Sequence, residues 1–120
     1  MKLIIVEDEE IIAEILKASF KDYDFQFFYD ATTASEVMAK QKFDLLITDI
    51  SMPGYGGGER LLMEADSKGI HCVVYTSANH IHEPFYRSVG ASEVFYKNQA
   101  VKLLTDYVDQ FASGIKQSAS

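Results

Sequence analysis

One cysteine is all that this chain of 120 residues has. Cys72 has no partner within the chain, so a disulfide-stapled framework is excluded, and its apolar neighbours mark it as a reduced core residue. Long apolar runs are missing too, with nothing near the ~20 residues that cross a bilayer. After Met1 and Lys2 the first apolar run is cut by Glu7, too soon for a signal peptide, so a cytoplasmic location without a membrane partner is expected. Basic residues are scarce: 11 Lys and Arg stand against 18 Asp and Glu, a net charge of −7. Nucleic-acid surfaces rely on Lys and Arg to neutralise phosphates, so this domain is not expected to bind nucleic acid directly. The acidic surplus suits cations or basic partner surfaces.

What is present is ordinary for a soluble globular protein, with 48% apolar and 24% charged residues. The length predicts one domain over residues 1–120, large enough to bury a core, with a small polar tail or linker stub at 113–120. The apolar pattern alternates between two periods. Leu3-Ile4-Ile5-Val6, Phe25 to Tyr29, Leu45 to Thr48, Cys72 to Tyr75 and Val94-Phe95-Tyr96 read as strands. Between them Ile12, Ile15, Leu16 and Phe20, then Ala34, Val37 and Met38, then Leu61, Leu62 and Ala65 recur at helical spacing. A short helix over Glu83 to Val89, with Pro84 in its first turn, and a last stripe of Val101, Leu104, Val108 and Phe111 complete the series. Strands alternating with helices predict an α/β fold: a doubly wound parallel sheet with helices on both faces and right-handed crossovers.

In such a sheet, ligands bind beyond the carboxyl ends of the strands, where the strand order reverses. The polar residues at those ends are Glu7-Asp8, Asp49, Thr76-Ser77 and Lys97, with Asp30 at the end of an expected edge strand. Three gathered carboxylates repel by a few kcal/mol per close pair at an effective dielectric near ~20. A hard divalent cation such as Mg²⁺ offsets that, taking one or two carboxylates and keeping several waters. Cation, ammonium and hydroxyl around one carboxylate are what in-line phosphoryl transfer onto it needs, with Asp49 as the nucleophile.

These residues resemble the receiver domain of two-component response regulators over nearly the full chain. The resemblance is carried by Glu7-Asp8, by Asp49 with Met52-Pro53 and Gly57, by Thr76-Ser77, and by Gly90-Ala91 with Lys97. It implies a flavodoxin-like sheet in the order 2-1-3-4-5 and a signalling role rather than an enzyme acting on other substrates. Asp49 is then the phosphoacceptor, assisted by Thr76 and Lys97. Glu7, Asp8, Asp49 and the backbone carbonyl of Ser51 hold Mg²⁺. The partners implied are a histidine kinase or phosphotransfer protein as donor, and a target protein or effector domain downstream.

Blander readings compete at each position. Asp49 could be a turn former, Glu7 and Asp8 acids at a helix start, and Lys97 a surface lysine. His80, His82 and Glu83, with His71, match no strong zinc spacing and are expected to be solvated loop residues. Gly54 to Gly58 lacks the Gly-Lys-Ser/Thr of a phosphate loop. A phosphatase with an aspartate nucleophile has a second acid two residues on, where this chain has Ser51. Two departures from the family stand out. Asn98 replaces the proline after the lysine, so the Lys97–Asn98 bond should be trans, leaving Asn98 free to cap the last helix. Val94 stands where the family has an aromatic three residues before the lysine, so the switch signal is expected mainly in Ser77 to Val89.

Overall fold

The computed structural model describes residues 1–119 apart from Pro53, Tyr55 and Asn79, and for 116–119 the helical backbone only. Strands and helices alternate: β1 (Lys2–Val6), α1 (Glu10–Ser19), β2 (Asp24–Phe28), α2 (Ala31–Met38), β3 (Leu45–Thr48), α3 (Gly57–Ser67), β4 (His71–Thr76), α4 (Glu83–Ser88), β5 (Ala91–Tyr96) and α5 (Val101–Ala119). A 3₁₀ turn, His80–His82, runs into α4. The strands form one sheet in the order β2-β1-β3-β4-β5, parallel throughout. The order reverses at β1 and β3, which lie side by side with Val6 opposite Thr48.

Alternation along the strands divides the core between the two faces of the sheet. Leu3, Ile5, Leu45, Ile47, Val73 and Tyr75 pack with Leu16 and Phe20 of α1 and its flanking turn, and with Leu104 and Val108 of α5. Ile4, Val6, Leu46, Cys72, Val74 and Val94 pack with Ala34, Met38, Leu61, Leu62, Ala65 and Tyr86 of α2, α3 and α4. Each fully buried aliphatic side chain contributes about 1.5–3 kcal/mol against its exposed state. Cys72 is buried, as the sequence predicts.

Local chemistry sets the element ends. Asp30 closes the edge strand and starts α2 as its cap, accepting from the Thr33 amide at 2.7 Å. Pro84 sits in the first turn of α4, where its missing N–H costs nothing. The register of β5 slips by one against Cys72 and Val73, so Ser92 is an extra residue. The bulge lets Ala91 and Val94, three residues apart, both face α3 and α4. Beyond it Phe95 packs on the α5 face, against Tyr107.

Two expectations change. Asn98 does not cap α5: the helix begins at Val101, and the sheet continues one residue further, the Lys97 amide donating to the Thr76 carbonyl at 2.9 Å. The chain therefore turns later, and the Gln99 side chain accepts from the Tyr96 amide inside that turn. No peptide bond among the described residues is cis, that between Lys97 and Asn98 included. His71 is not a solvated loop residue: it opens β4, half-buried, and accepts or donates to the Tyr107 hydroxyl at 2.7 Å. The polar segment from Ser113 continues α5 to Ala119; Ser120, like Pro53 of the Met-Pro pair, lies outside the described residues.

Candidate functional site

The last rungs of the sheet position the acids. Glu7 follows β1, its amide bonded to the Phe28 carbonyl at 3.0 Å, and Asp49 follows β3, its amide bonded to Val6 at 3.2 Å. Both are buried, Glu7 with 1% and Asp49 with 5% of its surface exposed, whereas Asp8 faces solvent. One carboxylate oxygen from each of Glu7, Asp8 and Asp49 can lie within 4.8 Å of the others. A full charge on such a pair at about 4 Å costs roughly 4 kcal/mol where the effective dielectric is near 20.

Lys97 answers that repulsion from the end of β5. Its ammonium donates to Asp49 Oδ2 at 2.7 Å and to Glu9 Oε2 at 3.0 Å. It also lies 2.7 Å from Glu7 Oε1, yet off the axis of a hydrogen bond, so that buried oxygen has an ion pair and no directed donor among the described residues. Burial pushes the Glu7 carboxyl above its ordinary value of 4.5, and the Asp49 charge pushes the same way against the pull of Lys97. For Lys97, burial works to lower the ammonium, but the acids around it, Asp49, Glu7 and Glu9, outweigh it and hold the group above 10.5. The second oxygen of Asp49 accepts from the Ile50 amide at 2.7 Å, and Thr48 donates to the Asp49 carbonyl at 2.8 Å.

Of the residues singled out in the sequence, Glu7, Asp8, Asp49 and Lys97 come together. Thr76 ends the neighbouring strand, buried, its hydroxyl accepting from the Ala78 amide at 3.1 Å. Ser51 lies exposed two residues past Asp49 and is hydrogen-bonded to none of them among the described residues. The histidines stay apart from the acids: His80 stacks on Tyr96 at 3.9 Å, and His82 tilts against Tyr86.

Three neighbours were not legible as site residues. Glu9 reaches Lys97 across 88 positions of sequence, and nothing local announces such a contact. Gly58 packs so tightly under Asp49 that a Cβ would lie 2.0 Å from the Asp49 carbonyl oxygen. It lies in the glycine run, beside Gly57, whose φ of +75° is costly for any other residue. Tyr96, on the same face as Val94, is buried and donates to Glu83 Oε1 at 2.7 Å. Strand periodicity, two residues on from Val94, was the available signal.

Residues 3–109 match the family model described as the response regulator receiver domain. Among solved structures, the response regulatory domain of mrkE from Klebsiella pneumoniae is 20% identical, with a TM-score of 0.85 over 98% of this chain and 99% of that one. A CheY-like receiver domain protein from Methanospirillum hungatei JF-1 is also 20% identical, with a TM-score of 0.84 over 98% and 97%. The BeF3-activated N-terminal receiver domain of RstA from Klebsiella pneumoniae is 24% identical, with a TM-score of 0.81 over 92% and 97%. At these identities the structures speak for the fold, and the family match speaks for membership. The chain belongs to the receiver domains of two-component response regulators, a family of signalling domains.

Proposed function

We propose that Asp49 accepts a phosphoryl group from the phosphohistidine of a sensor kinase or phosphotransfer protein, with Mg²⁺ held by Glu7, Asp8, Asp49 and the Ser51 carbonyl. The observation that carries this is the shared ammonium: one buried lysine bonded to a buried aspartate that ends a central strand, with two more acids in reach. The buried Glu7 oxygen without a directed donor, among hard carboxylate oxygens, fits a hard divalent cation. When bound, that ion neutralises charge on the acids and on the incoming phosphoryl oxygens.

The chain's own residues do the rest. The Ile50 amide and Lys97 fix the Asp49 carboxylate in one orientation, so an oxygen is presented in line with the phosphorus. A bond forms from that oxygen to phosphorus as the P–N bond of phosphohistidine breaks, and its electron pair returns to the imidazole nitrogen. Lys97 and the Thr76 hydroxyl bind phosphoryl oxygens on the newly formed acyl phosphate. Movement of Thr76 would be felt by the 3₁₀ turn and α4, which Tyr96 ties to β5 through Glu83. Partners then read that altered surface. The domain works in the cytoplasm as one unit, catalysing only its own phosphorylation and dephosphorylation.

Incubation with acetyl phosphate and Mg²⁺, followed by intact mass measurement, tests this. The wild type should gain the mass of one phosphoryl group, and Asp49→Asn and Asp8→Ala should gain none. Unchanged phosphorylation of Asp8→Ala in millimolar Mg²⁺ would sink the metal site.

A further inference from the structure

Glu9 occupies the position before α1 where a short polar side chain usually caps the helix, yet its side chain caps nothing. Its amide donates to Glu7 Oε2 at 3.1 Å, and its carboxylate turns instead to Lys97 at 3.0 Å. An ammonium has three donors; Lys97 directs donors to Asp49 and Glu9 and forms an ion pair with a third acid, Glu7. Two of those acids are buried, while the Glu9 side chain is 56% exposed. Breaking a buried charge pair is far more costly than breaking a pair at the solvent boundary.

We propose that Glu9 is a positioning residue: at rest it holds one donor of Lys97, and it releases that donor to the arriving phosphoryl oxygen. This inference rests on Asp49 as the phosphoacceptor. Glu9 keeps the ammonium at the mouth, between the buried acids and solvent, where an incoming phosphoryl oxygen meets it. The same contact makes Glu9 a competitor that every phosphoryl oxygen must displace. Removing Glu9 therefore strengthens the phosphorylated state by the worth of one exposed ion pair.

Beryllofluoride with Mg²⁺ serves as the phosphoryl probe, with Glu9→Ala set against Glu10→Ala. Glu10 is an adjacent exposed acid with no ion pair among the described residues, so its loss changes the net charge equally. Glu9→Ala should bind beryllofluoride about two- to fivefold more tightly than the wild type, and Glu10→Ala should match the wild type. In the free protein, the NMR signals of the Lys97 side chain should shift in Glu9→Ala and stay in place in Glu10→Ala. An affinity for Glu9→Ala no higher than that of Glu10→Ala, or an unmoved Lys97 signal, overturns the role of Glu9. Failure of the wild type itself to bind beryllofluoride overturns the phosphoacceptor reading, and the inference with it.

Discussion

The two ends of the sheet treat their polar groups in opposite ways. Toward the amino ends of the strands, Lys2 and His71 are both hydrogen-bonded. The Lys2 amide donates to Asp44 Oδ2 at 2.7 Å, the Lys2 ammonium to Gln41 at 2.7 Å, and His71 is bonded to Tyr107 and stacked on Phe111 at 4.3 Å. At the carboxyl ends Glu7, Glu9 and Asp49 share one ammonium, Asp8 stands beside them, and a buried Glu7 oxygen lacks a directed donor among the described residues. Satisfied partners make a fixed structure; a charge excess around one cation leaves attraction over for a ligand. The second condition is unfavourable for folding, and it fits the phosphoryl and metal binding proposed for that end of the molecule.

Paired substitutions at the two ends sharpen this difference. The largest effect is expected for the lysines. Lys97→Met strands two buried acids and should cost about 3–5 kcal/mol in urea unfolding at pH 7. Lys2→Met, which removes a half-buried lysine bonded to Gln41 at the solvent boundary, should cost less than about 1 kcal/mol. Equal losses for the two would erase the distinction.

Glycines come next. Gly58→Ala forces a Cβ against the backbone of Asp49 and should cost about 1–3 kcal/mol, while slowing phosphorylation by displacing the acceptor. Gly114→Ala, in α5 with nothing within 4 Å of the new Cβ, should gain about 0.5–1 kcal/mol. A Gly58→Ala variant with unchanged stability and phosphorylation would mean that the contact under Asp49 relaxes freely.

The smallest effect belongs to His71. Burial lowers its imidazole below the ordinary 6.5, so the folded protein binds fewer protons than the unfolded chain just below that pH. The stability it contributes is present above pH 6.5 and lost as the pH falls through the folded value. His71→Phe should keep the stack on Phe111 and flatten the stability profile over that window. A variant with the wild-type slope there would show that His71 is not its source.

The sequence made the scaffold and most of the charged constellation readable because both obey local rules. Continuous apolar runs such as Leu3 to Val6 mark strands covered on both faces, and Asp49 and Lys97 each terminate such a run. Glu7 and Asp8, proposed to hold the metal, were readable in the same way. Contacts distant in sequence were not. Lys97 meets Glu9 only because β5 and β1 end on one side of a sheet whose order must be known first. Gly58 looks like one more member of a flexible run until α3 is seen pressed against Asp49. The Ser92 bulge and the extra rung at Lys97 arise from pairing between β4 and β5. The bulge explains why Ala91, three residues away, shares the face of Val94, and the extra rung why Asn98 falls short of the helix cap.

The most direct measurement of the central claim is to locate the phosphoryl group itself. Protein incubated with acetyl phosphate and Mg²⁺ is trapped with borohydride, which reduces an acyl phosphate, and the modified residue is mapped by tandem mass spectrometry. The modification should fall on Asp49, with Asp8, Glu7 and Glu9 untouched. Modification at another residue, or none in protein shown to be folded, would contradict the assignment of the carboxyl end of the sheet as the working end.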